Sequence, residues 1–185
     1  MTIYEKISPD NTEPTLRIAL ERAARMSTDV ILASSTGASA FAALEMAKDI
    51  GFTGRIVAIT SVWGMGGPGK NPLSEEDRGR LEDAGVQIVT AGHALSGVER
   101  SLSGRFKGVY PTEIMAQTLK LLSEGVKVCV EIGVMAMDAG KAEYMRPVVA
   151  VGGTGRGCDT ACVLTPSYSA SIFETRVHEI LCKPY

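Results

Sequence analysis

The chain has 185 residues, 45% of them apolar and 22% charged, and a formal net charge of −2 at pH 7. This length and balance fit a single globular domain with its own core and exclude an intrinsically disordered chain. With 19 basic against 21 acidic residues and no basic stripe, a nucleic-acid partner is not expected, and no apolar stretch reaches the length of a membrane span.

Thr2 to Ile7 alternates weakly between apolar and polar positions and predicts a first strand. Glu5, Lys6 and Asp10 leave no apolar run of signal-peptide kind at this end, so a cytoplasmic location is expected. Asn11-Thr12-Glu13-Pro14 is a helix start, and the helix it opens runs to about Met26. Leu16, Ala19, Leu20, Ala23 and Ala24 recur at helical spacing, with Arg17, Glu21, Arg22 and Arg25 on the other faces. Asp29 to Ala33 reads as a strand, Ser34 to Ala40 as a hydroxyl-rich turn, and Phe41 to Ile50 as a helix. A further strand, Arg55 to Thr60, leads into the longest irregular piece, Ser61 to Leu73, and then a helix from Ser74 to Ala84 that Gly85 ends. Val86 to Thr90 is the next strand, followed by helix-compatible sequence near Leu95 to Leu102.

After a predicted helix from Thr112 to Glu124, Lys127 to Ile132 and Pro147 to Gly152 have the pattern of buried strands. Ala161 to Thr165 and Arg176 to Lys183 read as strands with no long helix between them, which predicts an antiparallel edge or hairpin. The alternation of strand and helix implies an α/β domain with a mostly parallel sheet spanning residues 1–185. The four cysteines, Cys129, Cys158, Cys162 and Cys182, have no metal-finger spacing and are expected as reduced thiols. Cys158 stands apart, because a thiolate in its glycine-rich loop can be stabilised by Arg156, but with no candidate base nearby the structural reading of this cysteine is the favoured one.

In an open α/β sheet, ligands sit beyond the carboxyl ends of the strands. Ser34-Ser35-Thr36-Gly37-Ala38-Ser39-Ala40 has that position and carries hydroxyls at four of its seven residues. Small residues let backbone N–H groups approach an anion, and the following helix presents its positive end to the charge. An ordinary turn with one capping hydroxyl explains only part of this pattern. Ser61-Val62-Trp63-Gly64-Met65 follows another strand end, where Trp63 and Met65 either stack on a planar ring or cap the core edge. Gly152-Gly153-Thr154-Gly155-Arg156-Gly157-Cys158-Asp159-Thr160 places one guanidinium and one carboxylate in a flexible frame, suited either to an anionic group or to a plain solvated connection. His93, in Gly92-His93-Ala94, also follows a strand end, and it reads as a ligand contact or as a structural histidine. Glu131 lies in an apolar run and must be paired, hydrogen-bonded or protonated, either anchoring the N–H of a neighbouring loop, the commoner case, or serving as a site acid. Asp138 reads as solvated or as a helix cap. No Ser-His-Asp set, metal-ligand spacing or dinucleotide fingerprint is present.

The Ser34 to Ala40 turn resembles the phosphate-binding loop in the C-terminal domain of pyruvate kinase. The helix start at Asn11, Leu-Ser-Gly-Val-Glu-Arg-Ser at Leu95 to Ser101, Val-Cys-Val-Glu-Ile at Val128 and the Val-Gly-Gly segment at Val151 extend the likeness over nearly the whole chain, to the stand-alone pyruvate kinase C-terminal-domain-like proteins of archaea and bacteria. That resemblance implies a three-layer α/β/α sandwich without the kinase barrel, hence without pyruvate kinase activity, and a bound flavin mononucleotide. By position, Ser34, Ser35, Thr36, Gly37, Ser39 and Ala40 would hold the phosphate, while Ser61, Trp63 and Gly64 would border the ring or ribityl chain. Gly153, Thr154, Arg156 and Gly157 would close the other side, with His93 as a further contact. The loop after the third strand departs from the Tyr-His-Thr-Gly of related proteins, being Ser61-Val62-Trp63-Gly64 here. The expectation is therefore a binder of a phosphate-bearing small molecule, able to form a homo-oligomer. A regulatory module sensing a sugar phosphate and an enzyme using Glu131, His93 or Asp138 in proton transfer are the alternatives.

Overall fold

A computed structural model describes all of residues 1–185. The chain runs β1 (Thr2–Tyr4), α1 (Thr12–Met26), β2 (Val30–Ala33), α2 (Ala38–Ile50), β3 (Ile56–Thr60), α3 (Glu75–Asp83) and β4 (Gln87–Thr90). It continues through α4 (Gly97–Phe106), α5 (Pro111–Lys120), α6 (Glu124–Asp138), β5 (Val148–Gly152), β6 (Thr160–Thr165) and β7 (Arg176–Pro184). Short 3-10 turns precede α1 and β7.

All seven strands join one sheet in the order β1-β7-β6-β5-β2-β3-β4. Every neighbouring pair is parallel except those made by β6, which runs antiparallel to both β5 and β7. The expected antiparallel strand therefore exists, but inside the sheet rather than at its edge. The edges are β1, which pairs parallel with the end of β7, and β4.

Alternating residues of the central strands face two separate apolar layers. Val30, Leu32, Ile56, Ala58, Val149 and Val151 join α1, α2 and Leu81 of α3 on one face. Ile31, Val57, Ile59, Val148 and Ala150 join Val126, Cys129, Ile132 and Met135 of α6 on the other. Helices thus cover both faces, as a mostly parallel sheet requires. Asp29 clamps the amino ends of β2 and β3 by accepting from the Arg55 backbone N–H at 2.9 Å and from its guanidinium at 3.0 and 2.6 Å. The opposite, carboxyl ends carry the loops. No helix is long and apolar enough to cross a membrane.

One element differs in kind from its prediction. Lys127 to Ile132 is the middle of α6 and not a strand, and α5 ends at Lys120, short of the predicted Glu124. Val126, Val128, Val130, Ile132 and Val134 place a β-branched residue at every second position, which imitates the period of a strand. The helical period is masked because α6 is buried almost all round, with the sheet on one side and α5 and the turn before β7 on the other. Ser123 caps the helix by accepting from Val126 N–H at 3.0 Å.

Candidate functional site

The strand order reverses beside β2: the chain steps from β2 to β3 and β4 on one side, then returns through α6 to place β5 on the other. Such a switch point opens a crevice at the carboxyl ends. Here it holds a cavity of about 690 Å³, walled by the turn after β2, the ends of β3, the glycine loop after β5 and one face of α6.

Gly37 makes the first wall possible. Its φ of +90° lies in the left-handed region, and a Cβ there would stand 2.9 Å from Leu73 Cδ1. Ser34 continues the sheet by donating its N–H to Ile59 O, and its buried hydroxyl accepts from Ala40 N–H at 3.1 Å, capping α2. Ser34 and Ala40 thus satisfy one another. The N–H groups of Ser35, Thr36, Gly37, Ala38 and Ser39 make no hydrogen bond with any protein atom. Five free amides at a helix start form a concave positive surface, to which the Ser35, Thr36 and Ser39 hydroxyls add donors. Ser61 Oγ donates to Ser35 Oγ at 2.9 Å and ties the β3 end to this turn.

The second wall is the loop Gly153 to Gly157. A Cβ on Gly153 would collide with the Gly157 carbonyl, and one on Gly157 with Thr12 Oγ1, so the loop folds closely on itself and on the start of α1. Asp159, almost fully buried, accepts from Thr154 N–H at 2.9 Å and from Thr160 Oγ1 at 2.7 Å. It organises the loop from behind rather than meeting a ligand. Arg156 is exposed at the cavity rim and pairs with no carboxylate, which leaves its charge free for an anion. Cys158 is buried, and burial pushes its thiol up to about 11 despite a hydrogen bond with Ser39. Of its two sequence readings Cys158 is thus the structural cysteine, and no thiolate forms beside Arg156 at neutral pH.

The third wall comes from α6, whose Val128, Glu131, Ile132 and Met135 line the cavity. Glu131 is 3% exposed, and its two oxygens accept from Leu95 N–H at 2.9 Å and from Lys127 Nζ at 2.6 Å. His93 Nδ1 stands 3.8 Å from the same Oε2, and the ring lines both this cavity and a neighbouring groove of about 320 Å³ with Val62, Met65 and Val98. Asp138 lies outside the cavity and accepts from Ser169 N–H at 3.0 Å.

Of the residues singled out from sequence, Ser34, Ser35, Thr36, Ser39, Ser61, His93, Gly153, Arg156 and Gly157 line one cavity. Gly37 and Ala40 shape it from behind. Trp63, 53% exposed, and Gly64 do not line it, and the Thr154 N–H is held by Asp159. Sequence reasoning missed Thr12, Thr60 and the apolar face of α6. Positions 128, 131, 132 and 135 form a single face only if the segment is helical. No protein-family model matches the chain.

Proposed function

We propose that this protein binds a phosphate-bearing small molecule, flavin mononucleotide foremost, with the phosphate against residues 35–39. The observation that carries this reading is the row of five free amides opening into a cavity of about 690 Å³ at the switch point. That volume falls in the range of small-molecule sites. Arg156 supplies an exposed countercharge at the rim, while Met135, Val128 and His93 offer an apolar and a hydrogen-bonding surface to a ring. When bound, a flavin would bring redox chemistry of its own; the chain's residues hold, orient and shield it. The same reading takes the fold as one of the pyruvate kinase C-terminal-domain kind, without kinase activity, in a cytoplasmic protein whose four thiols are free.

A second reading, a module sensing a sugar phosphate, is favoured by the hydroxyls of Thr12, Ser35, Thr36, Thr60 and Ser61 around the cavity. Calorimetry separates the two. Flavin mononucleotide should bind at least tenfold more tightly than riboflavin, which lacks the phosphate, and more tightly than glucose 6-phosphate. Gly37→Asp should abolish binding of both phosphates, since it forces a Cβ toward Leu73 and a carboxylate into the cradle. Equal affinity for flavin mononucleotide and riboflavin, or undiminished binding by the Gly37 variant, overturns the proposal. A preference for glucose 6-phosphate selects the sensor.

A further inference from the structure

A second recess, a groove of about 620 Å³, lies between α4, α5 and the first turns of α6. Part of its lining is apolar: Val109, Ile114 and Leu121 are exposed there, so an apolar group that fits the groove would take them out of water. Four charged side chains line it as well, and they differ in how they are satisfied. Lys120 is paired with Glu124 at 2.9 Å. Lys127 has a side chain only 10% exposed, and of the three N–H donors of its ammonium one is used, toward Glu131 Oε2 at 2.6 Å. Buried polar groups fill their hydrogen bonds, and this one keeps two donors for an oxygen from outside the protein. Arg100 and Glu113 face the same groove from α4 and α5. Neither side chain makes an ion pair, with each other or with a third group, and Glu113 is tied down only by its backbone N–H, which donates to Glu99.

We infer that this groove binds a free apolar α-amino acid, with its carboxylate at Lys127 and Arg100, its ammonium at Glu113 and its side chain against Val109, Ile114 and Leu121. The charges select that class. A simple carboxylate would set a like charge beside Glu113, and a simple amine would set one beside Arg100 and Lys127; a zwitterion answers both signs at once. A peptide end carries only one of the two charges, which leaves the free amino acid as the occupant. The apolar lining then chooses among amino acids by side chain, and the volume falls in the range of small-molecule sites. The site is separate from the phosphate cradle. Glu131 lines the cavity described above and Lys127 lines the groove, so their ion pair stands between the two.

Calorimetry on the intact chain with L-leucine tests this. L-leucine should bind with a millimolar or lower Kd, at least tenfold more tightly than isocaproate, which lacks the ammonium, than isoamylamine, which lacks the carboxylate, and than glycine, which lacks the side chain. Glu113→Gln should bring L-leucine down to the level of isocaproate, and Arg100→Gln should weaken both. Neither side chain belongs to the core, so circular dichroism of these variants should be unchanged. Lys127→Met combined with Glu131→Gln removes the buried ammonium without stranding a charge, and should abolish binding of L-leucine. No binding of L-leucine at millimolar concentration, equal affinity for isocaproate, or undiminished binding by Glu113→Gln overturns the proposal.

Discussion

Glu131 is the only carboxylate lining the cavity, and its setting makes it a structural charge before it is anything else. Lys127 Nζ at 2.6 Å and Leu95 N–H at 2.9 Å occupy both oxygens, and both members of the ion pair are almost fully buried. Removing one partner of such a pair strands the other charge in low dielectric, at a cost of about 3–5 kcal/mol. Glu131→Gln should therefore lower the unfolding free energy by about 3 kcal/mol in urea titrations. Adding Lys127→Met should restore more than half of that loss, since the double variant buries no charge. Equal stability of Glu131→Gln and wild type would show the pair to be solvated. The need for a partner was legible in the sequence, because a carboxylate in an apolar run cannot stand alone. The expected N–H of a neighbouring loop is that of Leu95, but the Lys127 partner was not legible. Four residues along a strand separate side chains by roughly 13 Å, whereas four along a helix span about 6 Å and bring Lys127 to Glu131 on one face. The misread element hid the residue-scale contact.

At the scale of elements, the helix α1 was legible because it has one period and one exposed side, and the strands β2 to β4 because each is a short β-branched, apolar run bounded by turn residues. In α6 the alternating valines imitate a strand, and burial on nearly every face erases the polar stripe that would betray the helix. A glycine pair marks what the local pattern leaves out. A Cβ on Gly125 would run into the Thr160 side chain and lie 2.9 Å from Asp159 Oδ1, so α6 meets β6 at a distance only glycine permits. Gly152 repeats the device, with Gly125 O at 2.6 Å from its notional Cβ. Gly79, inside α3, has open space around it. The two helical positions should respond with opposite signs to the same substitution. Gly79→Ala should stabilise by about 0.5–1 kcal/mol through backbone entropy and helix propensity. Gly125→Ala gains that same term but must displace β6, and overpacking of about 1–3 kcal/mol outweighs it. Thermal melts of the two variants check this, with the midpoint rising for the first and falling for the second. A rise for both would mean that α6 can lift from the sheet without loss.

For the whole molecule, the strand–helix alternation implied a largely parallel sheet, but strand order is a property of long connections and leaves no local trace. The insertion of β5 between β2 and β6, which creates the crevice, is of this kind. The same packing has a consequence at high pH. Burial pushes the Cys158 thiol up to about 11 from its ordinary 9.0, raises Cys182, and raises Cys129 well above the thiol range. Burial also lifts the Tyr4 phenol to about 12. In each case the folded state favours the neutral form. Below pH 9.0 these thiols are protonated in both states, and their contribution to stability is fully present. Above it the unfolded chain releases protons first, so stability falls as pH rises toward the folded value of about 11. For Cys158, two units correspond to about 3 kcal/mol, a sizeable share of the about 5–15 kcal/mol that holds a typical domain. Urea midpoints should be level from neutral pH to 9.0 and then decline steadily to 11. Cys158→Ala should begin lower, because it leaves a cavity, and decline less steeply, because one titrating thiol is gone. Parallel profiles for the two proteins would mean that Cys158 ionises as freely in the folded state as in the unfolded chain, with no buried thiol beneath the Ser39 hydroxyl.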